Sequence, residues 1–466
     1  MTELSFYTAS ELAPLIEEKK LSPVELTEAI LKRMEKLEPK VNSYITPLNE
    51  LALQQAQCAE KEIMNNFYRG PLHGIPIGIK DNMHTRGIRT TVGSKMLDDF
   101  HPDINATVVE KLLGFGGVMT GKLNLSEFAI GPSNINPFYG SARNPWNPGH
   151  VTGGSSGGSA AALAAGLTTI ATGSDTYGSI RNPASMCGVY GLKPTYGLVS
   201  AHGITPTARS MDHVGPMARS VSDLALMMNH MAGYDANDPG SIKANVPDYV
   251  KDLNKGVKGL RIGIPGFFLQ GLEPDVELIF RKATRKLEEL GATVMEVDIP
   301  ELNMASYAGY VIVMGEGASY HHGMLQANPE GFGPDDRIQL EAGTLITTTQ
   351  YVDSQQIRRV LVKALKKVFS GIDVLAGPSL PITAPQFEPN WVEQNLDLTE
   401  RAMPFTVPAN LAAIPSLSVP IGLSSKGLPI GMQLMGNHLS EKLLLQAGYA
   451  WECTDPLDGK MPKIGY

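Results

Sequence analysis

The sequence predicts a single large α/β domain in which helices cover both faces of a central sheet. Short apolar runs bounded by glycine or proline recur along the chain, and amphipathic helical patterns separate them. This alternation favours a mixed, mostly parallel, twisted sheet in an α/β/α arrangement. The chain has 466 residues, of which 42% are hydrophobic, enough for one extended core. No flexible linker interrupts the pattern, so we expect residues 1–466 to form one domain.

Three parts are expected within this domain. Residues 1–65 are predicted to be helical, and Ser22 begins a capping box for the amphipathic helix PVELTEAILKRMEKLEP. Residues 66–235 contain the strand patterns GIPIGIK, GVMTGK and TIATGSD, followed by the helical pattern VSDLALMMNHMAG. Residues 236–466 continue with VELIFRKATRKLEELG as a helix and with GLRIGIPG, ATVMEVDIP, IDVLAGPSLP and SLSVPIGL as strands.

Composition argues against several classes of function. The net charge is -8 and no basic run is present, so nucleic acid is not expected as a ligand. Cys58, Cys187 and Cys453 are far apart and form no CxxC pair, which argues against a disulfide framework and a cysteine-built zinc site. The N-terminal residues lack the apolar core of a signal peptide, and no apolar run approaches the roughly 20 residues that span a bilayer. We therefore expect a cytoplasmic protein without membrane contact.

The stretch VTGGSSGGSAAALAAG, residues 151–166, joins a glycine–serine run to an alanine-rich helix start. A P-loop requires a lysine after its last glycine, and a dinucleotide site requires GxGxxG after a strand; this run has neither. The free N–H groups and positive dipole end of a helix N-terminus suit a catalytic serine loop. They equally suit a tightly packed helix start that the serines cap. This run alone leaves both interpretations open.

Two further segments favour catalysis. In TIATGSDTYGSIRNPA, a strand ends in a glycine turn that can present Ser179 together with several backbone N–H groups. A nucleophile beside an oxyanion hole needs this arrangement. In GIPIGIKDN, an apolar strand ends at Lys80, whose amine becomes a base if burial lowers its pKa. An ion pair between Lys80 and Asp81 or another carboxylate is the alternative interpretation.

The segments GIPIGIKDN, GKLNLSEFA, GGSSGGSAAALAAG, GSDTYGSIRNPA and GLKPTYG, in this order, resemble the amidase signature family. VPANLAAIPSLSVPIG and GLPIGMQLMG extend the resemblance over most of the chain. It implies a Ser–cisSer–Lys triad with Ser179 as the nucleophile, Ser155 as the bridging serine on a cis peptide, and Lys80 as the base. It also implies an acyl-enzyme formed from an amide, with no metal and no organic cofactor.

The resemblance also implies an oxyanion hole, built from the backbone N–H groups of Thr176, Tyr177, Gly178 and Ser179. Many family members have glycine where Tyr177 stands. Tyrosine would be strained at a positive φ. We therefore expect a φ that suits most residues and a ring that shapes the pocket or packs under the loop.

Other residues of these motifs have structural interpretations. Asp175 is expected either to hold the turn through backbone N–H groups or to act on Lys80 or Ser155. Arg181 is expected to anchor the loop, and Ser156 to be a hydrogen-bonding scaffold. Cys187 is expected in the core.

The substrate pocket is expected to include Gly131, Ser133, Tyr177 and Phe405. Arg358 resembles the arginine that binds the substrate carboxylate in the A subunit of glutamyl-tRNA amidotransferase. Its alternative interpretation is an arginine on a helix surface.

The function that we expect is a free-standing amidase that cleaves a carboxamide to a carboxylate and an amine or ammonia, with ester or carbamate cleavage as side activities. Its partner would be a small-molecule amide, and a homodimer is a candidate assembly. The alternative is the glutamine-hydrolysing A subunit of an aspartyl/glutamyl-tRNA amidotransferase, which needs partner chains. Met403 stands near the position of an acid that holds the amino group of glutamine in that protein, and this disfavours the alternative. A catalytically dead binding module is a remote alternative, because all three triad positions are filled.

Overall fold

The computed structural model of the chain describes residues 3–464. Its centre is an 11-stranded sheet with the strand order β1-β3-β2-β4-β6-β5-β10-β11-β9-β7-β8. The strands are β1 (Tyr44–Pro47), β2 (Pro76–Lys80), β3 (Val118–Leu123), β4 (Ile170–Asp175), β5 (Tyr190–Lys193), β6 (His213–Ala218), β7 (Arg261–Pro265), β8 (Thr293–Val297), β9 (Val374–Pro378), β10 (Ser416–Leu423) and β11 (Pro429–Gly436).

The helices are α1 (Ala9–Glu17), α2 (Pro23–Val41), α3 (Asn49–Met64), α4 (Thr107–Gly114), α5 (Gly157–Ala164), α6 (Arg181–Cys187), α7 (Val221–Met231), α8 (Pro274–Glu289), α9 (Ala305–Ala327), α10 (Pro334–Thr344), α11 (Thr348–Val368), α12 (Trp391–Leu411) and α13 (Glu441–Glu452). The helices alternate with strands along much of the chain, as predicted, but α1 and α2 follow one another without an intervening strand, as do α9, α10 and α11.

The prediction of one α/β domain with a mixed sheet is confirmed. The sheet is less parallel than expected: β2–β3, β2–β4, β7–β8 and β7–β9 are parallel, whereas the other neighbouring strands of residues 3–464 are antiparallel. Every residue of β2, β3, β4, β6, β9 and β11 is buried, so both faces of these strands are covered. Such burial explains why their sequences are nearly continuous apolar runs.

The N-terminal region is mostly helical, as predicted, and it also contributes β1 to the edge of the sheet. Ser22 begins α2, and its hydroxyl accepts hydrogen bonds from the N–H groups of Val24 at 2.9 Å and Glu25 at 3.4 Å. Pro23, at the first helical position, needs no acceptor for a backbone N–H. No helix within the described residues is long and apolar enough to cross a membrane.

The topology brings the expected catalytic segments together. β2 and β4 are parallel neighbours, with Ile77 opposite Ile170 and Gly78 opposite Ala171. The C-terminal ends of parallel strands meet at one edge of a sheet. Lys80 ends β2, and the loop that carries Ser179 begins after β4.

Candidate active site

Lys80 is the last residue of β2, and its side chain is fully buried. Its ammonium Nζ lies 2.7 Å from Ser155 Oγ, 2.8 Å from Ser156 Oγ and 2.9 Å from Ser174 Oγ. The hydrogen-bond partners of this buried amine are therefore three serine hydroxyl groups. Such an amine can exchange a proton with a serine hydroxyl more readily than one locked in an ion pair.

The environment lowers the pKa of Lys80 to about 7. Burial is the main cause, because removing water disfavours the charged ammonium. The negative charges of Asp175 and Asp212 oppose this effect and raise the pKa. At neutral pH a substantial fraction of Lys80 is therefore uncharged and able to accept a proton.

Asp81, which was the alternative ion-pair partner for Lys80, instead forms an ion pair with Lys122. Its Oδ1 is 3.5 Å from Nζ of Lys122, and both side chains are fully buried. Its Oδ2 accepts hydrogen bonds from the backbone N–H of Thr91 at 2.9 Å and from the Thr91 hydroxyl at 2.6 Å. Asp81 thus fixes the loop after β2, while Lys80 faces the serines.

Ser155 lies in the loop before α5, and the Gly154–Ser155 peptide bond is cis. The Gly154 N–H donates to the Pro132 carbonyl at 2.6 Å, and the Ser155 carbonyl accepts from the Ser126 N–H at 3.3 Å. A Cβ atom at Gly154 would lie 2.7 Å from the backbone nitrogen of Asn134. The close approach of these two loops requires glycine here, which explains part of the glycine–serine run.

Ser179 lies in the turn between β4 and α6, and it is 4% exposed, whereas Ser155 is completely buried. The carbonyl of Ser179 accepts a hydrogen bond from the Ser156 N–H at 3.1 Å, which joins the two serine loops. Within residues 3–464 the Ser179 hydroxyl forms no hydrogen bond. Catalytic hydrogen bonds often tighten only when substrate is bound, so this geometry is compatible with a relay through Ser155.

The turn before Ser179 is held by a buried ion pair. Asp175 lies 3.0 Å from Nε of Arg181, and both side chains are fully buried. The Asp175 carboxylate also accepts from the N–H groups of Gly178 at 2.8 Å and Ile180 at 3.2 Å.

Burial raises the pKa of Asp175, but the charge and hydrogen bonds of Arg181, together with Lys193 and Asn410, outweigh this effect and hold the pKa well below its usual range. The hydrogen bonds of Asp175 thus hold the turn and Arg181 anchors it. The charge of Asp175 also acts on Lys80, so both interpretations of Asp175 find support.

This turn changes the expected oxyanion hole. The Gly178 N–H points to Asp175 and is not free, in contrast to our expectation that it would be an oxyanion donor. The N–H groups of Thr176, Tyr177 and Ser179 have no acceptor among the described residues. These three remain the expected donors, because an oxyanion hole needs N–H groups without internal partners.

Removing the Arg181 charge should destabilise the fold strongly. Arg181→Met leaves Asp175 as a buried, uncompensated carboxylate, and we expect a loss of about 3–5 kcal/mol in the free energy of unfolding. Arg261→Met is the matched control, because the Arg261–Asp373 pair lies at the surface and should contribute far less. Chemical denaturation of both variants measures the difference. Equal losses would contradict the role of Arg181.

Tyr177 is buried and lies two residues before Ser179, the expected nucleophile. Its φ lies outside the left-handed region, as expected, whereas Gly178 has a φ of +131°. The Tyr177 hydroxyl accepts a hydrogen bond from the Gly131 N–H at 3.1 Å, and its carbonyl accepts from the Thr406 hydroxyl at 2.6 Å. Its ring belongs to the same apolar cluster as Met403 and Phe405.

The other residues expected in the substrate pocket divide into two groups. Gly131 and Phe405 lie around Tyr177, and Ser133 donates a 2.6 Å hydrogen bond to Asn395. Arg358 is half-buried on α11, so it is not simply a surface arginine. Its guanidinium donates to the carbonyls of Leu411 at 2.8 Å and Ser210 at 3.0 Å.

Sequence reasoning missed Ser174 and Asn410. The hydroxyls of Thr172 and Ser174 both contact Lys80, since alternate residues of β4 share one face. Two polar residues at this spacing in a buried strand were the available signal. Asn410 donates from α12 to Asp175 at 2.8 Å. Nothing local in the sequence indicates this contact.

Comparison with known proteins places these features in a family. The profile described as Amidase matches residues 25–445. The A subunit of glutamyl-tRNA(Gln) amidotransferase from Acinetobacter baumannii is 42% identical to this chain. The alignment covers 97% of this chain and 96% of that subunit. The protein of the same name from Cyanothece sp. is 41% identical and covers 97% of this chain and 99% of its own length.

Solved structures agree with these relatives. The A subunit of glutamyl-tRNA(Gln) amidotransferase from Thermotoga maritima superposes with a TM-score of 0.84 at 32% identity, covering 100% of this chain and 99% of its own. Native peptide amidase from Stenotrophomonas maltophilia superposes with a TM-score of 0.85 at 31% identity, and the superposition covers 98% of this chain and 99% of the amidase. The likeness to both spans almost the whole chain, so an amide-acting enzyme is supported. The chain belongs to the Amidase family.

Proposed function

We propose that the chain hydrolyses a carboxamide through an acyl-enzyme on Ser179. The observation that carries this proposal is the buried Lys80 amine, which lies 2.7 Å from Ser155 Oγ. Neutral Lys80 takes a proton from Ser155, and Ser155 takes one from Ser179 as its oxygen attacks the amide carbonyl. The reverse transfers protonate the leaving nitrogen. Water then cleaves the acyl ester and releases the carboxylate.

The negative oxygen that develops during attack needs donors that are already in place. In our proposal, the free N–H groups of Thr176, Tyr177 and Ser179 supply them. Asp175 and Arg181 hold the turn in which these donors lie.

We expect kcat/KM to increase with pH, with an acid limb whose midpoint lies near pH 7. Lys80 accepts a proton only when it is neutral, and its pKa is lowered to about 7 by burial. Below this pH the ammonium predominates and kcat/KM falls about tenfold per pH unit. A pH profile of kcat/KM between pH 5 and pH 10 measures the limb, with unfolding monitored in parallel. A rate that increases towards acidic pH would contradict Lys80 as the base.

Two substrate classes fit this chemistry. The first is an amide with an apolar acyl or amine group, cleaved by a free-standing enzyme. It is supported by Met403, which is buried with Tyr177 and Phe405. Met403 precedes Thr406 by one helical turn, so both lie on the face of α12 that contacts the nucleophile loop.

The second class is glutamine, cleaved by the A subunit of a tRNA amidotransferase. The names of the curated relatives favour this candidate over the first, because they match almost the whole chain at about 40% identity. It would require partner chains and a tRNA substrate, in contrast to the expectation of a small-molecule partner only. The free-standing assignment therefore depends on the apolar residue at position 403.

One assay separates the two classes. The wild-type protein and Met403→Asp are tested on glutamine and on a panel of aryl and aliphatic primary amides, with ammonia release as the readout. The free-standing candidate predicts cleavage of apolar amides by the wild type and a shift towards glutamine in Met403→Asp. The amidotransferase candidate would be supported if the wild-type protein cleaved glutamine or if it co-purified with two further subunits. Loss of all activity in Ser179→Ala is required by both.

A further inference from the structure

Asp212 is a buried carboxylate next to the site that the triad does not include. It lies in the loop before β6 and is 5% exposed. Its Oδ1 accepts hydrogen bonds from the Thr176 hydroxyl at 2.6 Å and from the Ala208 N–H at 3.0 Å. Its Oδ2 accepts from the Thr207 N–H at 3.0 Å. One carboxylate thus joins the end of β4 to the 205–212 loop.

Thr176 is the residue whose orientation this contact fixes. It lies between Asp175, which holds the turn, and Tyr177, and its own N–H is one of the proposed oxyanion donors. A short hydrogen bond to a charged acceptor is among the stronger ones. Removing it would free the Thr176 side chain and loosen the direction of its N–H.

The 205–212 loop is itself fixed on its other side. The Thr207 hydroxyl donates to the Phe128 carbonyl at 3.1 Å. Phe128 has a φ of +44°, a left-handed conformation that is costly for a bulky residue, so surrounding contacts must hold it. Phe128 is followed closely by Gly131, whose N–H binds the Tyr177 hydroxyl. Asp212 therefore supports both sides of the nucleophile turn.

Asp212 also differs from Asp175 in its charge balance. Asp175 is paired with Arg181, whereas Asp212 has no ion pair among residues 3–464. Burial raises the pKa of Asp212, and the negative charge of Glu316 on α9 adds to this effect, whereas the hydrogen bonds that the carboxylate accepts oppose it. Asp212 lines a cavity of about 560 Å³, and the other charged or titratable side chains that line it are His84, Tyr196, His202, Arg209, Asp238 and Tyr320. Asp212 and Asp175 both act on Lys80, and burial keeps the neighbouring His213 pKa well below its usual range, so that imidazole is neutral.

We propose that Asp212 is a positioning residue for amide hydrolysis, because its carboxylate holds the Thr176 hydroxyl and so orients Thr176 as an oxyanion donor. This role rests on the proposed function. The charge of Asp212 also raises the pKa of Lys80, and substitutions of Thr176 remove the hydrogen bond without changing that charge.

Three variants test the proposal on the preferred amide. Asp212→Asn removes the charge, so kcat should fall and the acid limb of kcat/KM should move to lower pH, because the ammonium of Lys80 loses a stabilising anion. Thr176→Val removes the hydrogen bond but keeps the charge, so kcat should fall about tenfold or more while the limb stays in place. Thr176→Ser keeps the hydroxyl and should restore most of kcat.

Asp223→Asn is the matched control for loss of a buried carboxylate, because Asp223 binds the N-terminus of α1 and does not contact the site. Its acid limb should match that of the wild type. An unchanged kcat in Thr176→Val or in Asp212→Asn would overturn the proposal. If Asp212→Asn fails to fold, the two Thr176 variants still decide the positioning role. Activity retained by Ser179→Ala would instead refute the proposed function.

Discussion

Replacing Lys80 with alanine should lower kcat/KM by about 10⁴-fold or more, because in the proposed mechanism Ser179 then loses its base. The hydroxyls of Ser155 and Ser156 then have no amine within reach, and a serine hydroxyl is a weak nucleophile without one. Steady-state kinetics near the alkaline plateau measure the effect, where most of the wild-type Lys80 is neutral.

Lys122→Met is the control for removing a buried lysine. Lys122 lies on β3, beside β2, and donates to the Thr90 hydroxyl at 2.8 Å and pairs with Asp81. Its loss should reduce the free energy of unfolding but change kcat/KM of the folded protein far less than Lys80→Ala does. A Lys80→Ala variant that keeps kcat/KM within tenfold of the wild type would place the base elsewhere.

Ser179→Ala should abolish turnover, because in the proposed mechanism the Ser179 hydroxyl supplies the oxygen of the acyl ester. Mutating a residue that acts as part of a catalytic unit costs about as much as removing the whole unit, on the order of 10⁶ in kcat. The overall fold should remain, since the contact of Ser179 with Ser156 uses its backbone carbonyl. Circular dichroism and kinetics on the same preparation test both statements.

Ser159→Ala is the matched control for this second prediction. Ser159 belongs to the same glycine–serine run, and its hydroxyl donates to the Thr172 carbonyl at 2.9 Å. It does not contact Lys80, so the variant should retain most of kcat. A comparable loss in both variants would indicate that the loop geometry, and not the Ser179 oxygen, had been disrupted.

The sequence predicts well what depends on neighbouring residues. The strand patterns GIPIGIK and TIATGSD correspond to β2 and β4, and VSDLALMMNHMAG corresponds to α7. Lys80 could be singled out because a charged residue ends an apolar strand. Gly178 shows the limit of such reasoning, since the side chain of Asp175, three residues earlier, takes its N–H.

Contacts between distant segments could not be predicted in this way. Asn410 reaches Asp175 across 235 positions, and Asp212 reaches Thr176 across 36. Arg358 binds backbone carbonyls that no local pattern places beside it. The share of antiparallel pairs was also underestimated, because strand patterns indicate burial and leave the direction of pairing open. The long helix α9 is rich in glycine and apolar on most sides. Its sequence therefore shows little of the alternation of apolar and polar residues, with a period of about 3.6, that predicts a helix.

Intact-mass analysis with an acylating probe tests the central claim most directly. The protein is incubated with a reactive aryl ester at pH 8, and the modified peptide is mapped. We expect one acyl group, on Ser179, with no adduct in Ser179→Ala and much slower labelling in Lys80→Ala. An adduct on any other side chain, or labelling of Lys80→Ala at the wild-type rate, would contradict the mechanism.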